Sequence, residues 1–188
     1  MRFRRNLERL GEIFAYEISH HLDYSTKEVV TPLGIANVPT PDSKVVVSTI
    51  LRAGLPLHQG ILNYFDDAQN AFVAAYRKYG KDNKFTIQIE YVSSPKLDGK
   101  TLVIADPMLA TGSSLVLAYE KLCTLGEPEH THIVCPIASK DSLAYLSKHL
   151  PHKKVTLWVA AVDEELTNKS YIVPGIGDAG DLAFGEKL

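Results

Sequence analysis

The chain has 188 residues, 45% of them hydrophobic and 22% charged, the proportions of one globular domain able to bury a core. Lysine and arginine number 20 against 22 aspartates and glutamates, a net charge of -2, which argues against a broad basic face for nucleic acid. No apolar run reaches the roughly 18 residues of a membrane span, the start Met1-Arg2-Phe3-Arg4-Arg5-Asn6 is not a secretory signal, and Cys123 and Cys135 make neither a disulfide framework nor a metal-ligand spacing. The expectation is a single cytoplasmic domain over residues 1–188 with no membrane or nucleic-acid partner.

Phe3, Leu7, Leu10, Ile13, Phe14, Ile18 and Leu22 recur at steps of three and four, which predicts an amphipathic helix over about 3–22. Short extended pieces follow at 29–31 and 35–38, punctuated by Pro32, Gly34, Pro39 and Pro41. The β-branched run 45–51 reads as a buried strand, broken by Arg52-Ala53-Gly54, and 55–65 as a helix. Residues 71–76 and 85–92 are strand candidates, and the polar stretch 78–84 between them predicts a hairpin or exposed flap. Strand 101–105, helix 113–125, strand 133–138, helix 140–149 and strand 155–162 then alternate. Such alternation implies a mostly parallel sheet flanked by helices. Residues 163–188 carry Pro174-Gly175-Ile176-Gly177-Asp178-Ala179-Gly180-Asp181 and read as an ordered loop at a site rather than an element interior.

The segment Thr101 to Ser114, TLVIADPMLATGSS, places a strand, then Asp106, then a loop, then a helix start. Ligands of open α/β sheets sit beyond the carboxyl ends of the strands. Thr111-Gly112-Ser113-Ser114 offers hydroxyls and backbone N–H groups at a helix N-terminus, a phosphate cradle, and Gly112 is read as letting an oxygen approach closely. Asp106 would meet sugar hydroxyls or a metal rather than the anion. The same pattern also fits an ordinary cap, with Thr111 or Ser113 capping a helix and no ligand. It is neither a P-loop nor a GxGxxG motif.

The run Asp106-Pro107-Met108-Leu109-Ala110-Thr111-Gly112-Ser113-Ser114 resembles the phosphoribosyl-diphosphate (PRPP) signature of type I phosphoribosyltransferases, in the form found in uracil phosphoribosyltransferases. Ile50-Leu51-Arg52-Ala53-Gly54-Leu55 resembles the diphosphate loop of that family. Residues Tyr171 to Asp181 resemble its uracil-binding segment, and Ala75-Tyr76-Arg77 a weaker fourth piece. Pro56 and Gln59 depart from it, standing where a glycine and an acid are expected. Members also carry a segment ahead of the first helix, expected to bear oligomer contacts and a PRPP contact.

The resemblance implies a type I phosphoribosyltransferase fold with a hairpin flap and a C-terminal base-binding segment over 163–188. It implies transfer of the phosphoribosyl group of PRPP to N1 of uracil, giving UMP and diphosphate. Arg52 and Arg77 would contact PRPP, Asp106 through Ser114 would cradle its ribose 5-phosphate, and Ile172, Gly177, Asp178 and Ala179 would hold uracil. Arg52 and Asp178 carry the catalytic assignment, with Asp178 also near PRPP. Magnesium is the implied partner of the diphosphate oxygens, with Asp178 and Asp106 the nearby carboxylates and no dedicated protein metal site. GTP binding and a homodimer or larger homo-oligomer belong to the same resemblance.

Physical need agrees with these assignments. A diphosphate leaving group calls for fork-shaped cationic donors, and a glycine-rich loop bares backbone groups complementary to uracil's edge. A sharp turn at Arg52-Ala53-Gly54 predicts an unusual backbone there, a cis non-proline peptide included. Two rival readings stay open: a uracil- or UMP-sensing regulator on the same fold, and a phosphoribosyltransferase for another base. His130-Thr131-His132 lacks a third metal ligand, and Trp158 reads as core or subunit interface.

Overall fold

The computed structural model describes residues 2–79 and 85–186. Helix α1 (Arg2–Ser19) buries Leu7, Gly11, Phe14, Ala15 and Ile18, one face of the predicted stripe. It stops three residues short of the expected end. The Ser19 hydroxyl takes the Tyr16 carbonyl at 2.6 Å, and His20, His21 and Leu22 close the chain with bonds to the residue three back. Strands β1 (Tyr24–Thr31) and β2 (Gly34–Pro41) form an antiparallel hairpin turning at Pro32-Leu33, longer than the two extended pieces expected.

Strand β3 (Val45–Leu51) leads to α2 (Leu55–Leu62), and β4 (Gln69–Tyr79) pairs antiparallel with β5 (Phe85–Ser93). Most of the predicted flap, 78–84, and the Arg77 side chain lie outside the described residues. Next come β6 (Thr101–Ala105), the two-residue β7 (Met108–Leu109) and α3 (Ser113–Cys123). Helix α3 ends early as α1 does: Thr124 Oγ1 donates to the Lys121 carbonyl at 2.7 Å. Strand β8 (His130–Ser139), α4 (Lys140–His149) and β9 (Val155–Asp163) complete the alternation.

The sheet runs β5-β4-β3-β6-β8, with β9 on the far edge of β8 and β7 beside the carboxyl half of β8. Every pairing is parallel except β4 with β5. The α/β expectation is therefore met. The central strands are buried on both faces, and their side chains alternate between two cores. Val46, Leu102, Ile104, Ile133 and Cys135 pack toward Leu115, Leu122 and Leu146 of α3 and α4. Val47, Val103, Ala105 and Val134 pack toward Phe14, Ile18, Leu57 and Ile61 of α1 and α2. Burying each such aliphatic side chain contributes roughly 1.5–3 kcal/mol, so three layers form around the sheet.

Residues 163–186 are more regular than expected. A ribbon of β10 (Glu165–Leu166) and β11 (Ile172–Val173) precedes a short helix, α5 (Ala179–Phe184). Gly180 thus lies inside a helix rather than a loop. The helix starts there because Asp178 is its N-cap, its side chain accepting from the Asp181 N–H at 2.9 Å. The predicted loop 107–112 likewise holds β7, which prolongs the sheet against Ile137 and Ala138.

Candidate active site

A cleft of about 880 Å³ opens at the carboxyl ends of β3 and β6, where this topology places ligands. Arg52 and Ala53 line it from the turn after β3, residues 106–112 from the turn after β6, and Asp178, Ala179 and Gly180 from the start of α5. Ser114 also faces it. The geometry brings together three segments that lie far apart in the chain. Ser113, Ile172 and Gly177 are not on its wall. The Ser113 hydroxyl bonds that of Thr111 at 2.8 Å, Ile172 is buried in β11, and Gly177 turns the chain at φ 78°.

The turn after β3 contains a cis peptide between Leu51 and Arg52, the kind of backbone expected there. Arg52 Nη2 donates to Asp181 Oδ1 at 3.0 Å and to the Gly185 carbonyl at 2.6 Å. Its guanidinium lies 5.9 Å from the centre of the Phe184 ring. Gln59, one of the departures from the family pattern, is exposed and bonds Asn63 on the surface of α2, away from the cleft.

Asp106 follows β6 directly, its N–H held by the Val134 carbonyl at 3.0 Å. Burial raises its carboxyl from the ordinary 3.8 to about 7, opposed by a long bond from the Met108 N–H at 3.5 Å. Without ligand, then, the acid carries its proton over part of the neutral range. This carboxyl ionises near 4 in the unfolded chain, so its contribution to stability falls as pH rises from about 4 to about 7 and is level above. Asp106→Asn is expected to remove that slope and to raise the urea midpoint at pH 8 above the parent's, with little difference at pH 4. Urea titrations at the two pH values check this.

Helix α3 begins at Gly112, in left-handed geometry at φ 80°, with no side chain capping its first turn. Thr111 and Ser113 are therefore not helix caps; their hydroxyls bond each other beside the first turn of α3, which no side chain caps. The role of Gly112 differs from the sequence expectation. A Cβ there would strike Leu146 and Tyr145 of α4 rather than fill the cradle. Glycine is required by the left-handed turn and by the closeness of α4. The loop is also pinned from α4: Ser139 Oγ donates to the Ala110 carbonyl at 2.5 Å while capping α4 through the Ser142 N–H.

Two wall residues, Leu115 of α3 and Ser170 ahead of β11, carried no sequence signal. Ala75 and Tyr76 of the weaker fourth piece line the cleft from β4, and Tyr171 lines it from the start of the uracil-like segment. Asp181 reaches it only by grasping Arg52. The histidines set aside earlier have structural partners: His130 bonds Thr156 at 2.8 Å, and His132 Nδ1 accepts from Trp158 Nε1 at 3.0 Å. Among the described residues no group of three or more His, Cys, Asp or Glu is placed to hold a metal ion by itself. None of their helices is long and apolar enough to cross a membrane.

A hypoxanthine phosphoribosyltransferase from Staphylococcus aureus superposes with a TM-score of 0.57 over 97% of this chain and 91% of its own, at 12% identity. At that identity the likeness is one of fold, and the fold is that of the type I phosphoribosyltransferases. A solved protein from Aquifex aeolicus superposes with a TM-score of 0.88 at 33% identity, over 97% of this chain and 85% of its own. The uracil phosphoribosyltransferase of Porphyromonas gingivalis is 55% identical over all of this chain and 87% of its own. That of Pyrococcus furiosus is 38% identical over all of this chain and 81% of its own. Residues 1–186 match the uracil phosphoribosyltransferase family, and the chain belongs to it.

Proposed function

We propose that this chain carries out the reaction of its family, transferring the 5-phosphoribosyl group of PRPP to N1 of uracil with release of diphosphate and formation of UMP. The observation that carries this reading is one cleft with an arginine at one side, an acid-to-hydroxyl cradle at the next, and the Asp178-Ala179 segment facing both. Its volume is that of a small-molecule site.

The 5-phosphate is held by the Thr111–Ser114 end of the cradle, through backbone N–H groups and hydroxyls at the start of α3. Asp106 accepts from ribose hydroxyls. Arg52, joined by Arg77, meets the diphosphate, where charge builds as the bond to the anomeric carbon breaks. Uracil is read by the segment around Ile172 and Gly177 to Ala179, whose backbone donors and acceptors leave cytosine's amino group unmatched. Rate comes from aligning N1 with the anomeric carbon and from stabilising developing charge. Magnesium fits this donor set: Asp106 and Asp178 are two carboxylates on one cleft, and the ion takes few protein ligands beside phosphate oxygens and water. When bound it neutralises leaving-group charge.

A homodimer or higher homo-oligomer is part of this proposal. None of the sixteen strand residues of the β1–β2 hairpin is buried, and Val30, Leu33 and Ile35 are 82%, 100% and 67% exposed. A lone two-stranded hairpin is marginal in water, and an apolar one is completed by a partner surface. Leu33→Asp is expected to shift the chain toward monomer in sedimentation at micromolar concentration, with its circular dichroism unchanged.

Incubation with PRPP, magnesium and each common nucleobase tests the reaction. UMP from uracil, and no nucleotide from cytosine, hypoxanthine or adenine, is the expected result. Binding of uracil or UMP without turnover would favour a sensor and overturn the enzymatic reading.

A further inference from the structure

We propose that Asp181 is a positioning residue for Arg52, holding its guanidinium on α5 until diphosphate takes it over. The inference rests on the reading of Arg52 as the diphosphate contact. A guanidinium presents parallel N–H pairs along two edges, Nη1 with Nη2 and Nε with Nη2, and either edge suits a phosphate. Both edges contain Nη2. Here both Nη2 hydrogens are engaged, one by Asp181 Oδ1 at 3.0 Å and one by the Gly185 carbonyl at 2.6 Å. Arg52 Nε is buried with no hydrogen-bond partner. Neither edge is free, so a bidentate grip on diphosphate requires Nη2 to leave α5. The exchange satisfies Nε at the same moment, which favours it.

The arrangement links the two halves of the site. Asp181 receives Arg52 through its side chain, while its N–H binds the carboxylate of Asp178. Phe184, at the end of the same helix, lies between Arg4 at 5.8 Å and Arg52 at 5.9 Å. The leaving-group loop and the base-side segment thus meet in one six-residue helix. Asp181 then competes with bound diphosphate and recaptures Arg52 as diphosphate leaves.

Both side chains of the pair are 34% exposed, so water screens the contact and the competition is modest. Titration calorimetry with magnesium diphosphate, and separately with ribose 5-phosphate, reads it. Asp181→Asn keeps a neutral acceptor and the backbone bonds of α5. It is expected to tighten diphosphate binding about 1.5-fold to fivefold, the scale of one partly exposed ion pair. Ribose 5-phosphate binding should not change. Arg52→Gln should weaken diphosphate binding, and adding Asp181→Asn to it should then have no effect. Asp181→Ser repeats the test should the Asn variant fold poorly.

The outcomes separate cleanly. Unchanged diphosphate affinity in Arg52→Gln overturns the reading of Arg52 itself. Weakened binding in Arg52→Gln, with unchanged or weaker binding in Asp181→Asn, overturns only the role of Asp181. A gain that persists in the double variant, or that extends to ribose 5-phosphate, marks general charge repulsion and also overturns it.

Discussion

Asp178→Asn is expected to lower the rate of UMP formation about 10²–10³-fold, the cost of roughly 2.7–4 kcal/mol typical of one aimed electrostatic contact, while the protein stays folded. Asp178 has two duties in this structure. It caps α5 by accepting from the Asp181 N–H at 2.9 Å, and it stands on the wall of the cleft. Asparagine caps helices about as well as aspartate, so the first duty survives the substitution and the melting temperature should hold. The charge proposed to face PRPP and its magnesium does not survive. Melting curves and steady-state rates on one preparation check both halves. A folded variant that turns over at the parent rate would overturn the catalytic assignment of Asp178.

The second large effect is expected at Gly112. Gly112→Val puts a β-branched residue at φ 80°, which costs about 1–2 kcal/mol against the left-handed backbone. Its side chain also runs into Leu146 and Tyr145 of α4. The turn must move, and with it Thr111, Ser113 and the first N–H groups of α3. Because the proposed 5-phosphate cradle contains no lysine, displaced backbone donors have no substitute. The KM for PRPP is expected to rise at least about tenfold, equal to roughly 1.4 kcal/mol, with a lower melting temperature. Gly112→Ala, with less bulk against α4, should fall between Val and the parent in both measurements. Normal PRPP affinity in the valine variant would remove the cradle assignment.

Elements with strong periodicity were legible from the chain. The runs 45–51 and 101–105 are the strands expected, and 140–149 is the helix expected, since alternation and β-branching survive any tertiary context that buries both faces. Helix ends were less legible. Leu22 and Leu125 continue an apolar stripe, but the hydroxyls of Ser19 and Thr124 take carbonyls three residues back and stop α1 and α3 first. The glycine-rich end of the chain concealed a helix for a related reason. Gly180 argues against helix by propensity, and the Asp178 cap outweighs it.

By itself, the sequence determined the α/β class, the order of the elements, the family and the candidate segments at 52–54, 106–114 and 171–181, because these depend on residue type and spacing along the chain. The tertiary structure alone decided which of those segments share a wall. It also decided that burial lifts Asp106 to about 7, that the missing Cβ of Gly112 clears α4, and that Arg52 is held by Asp181, 129 residues away. Contacts across such separations follow from how strands are ordered in a sheet. That order minimises exposed apolar surface over the whole chain, and no local window contains it.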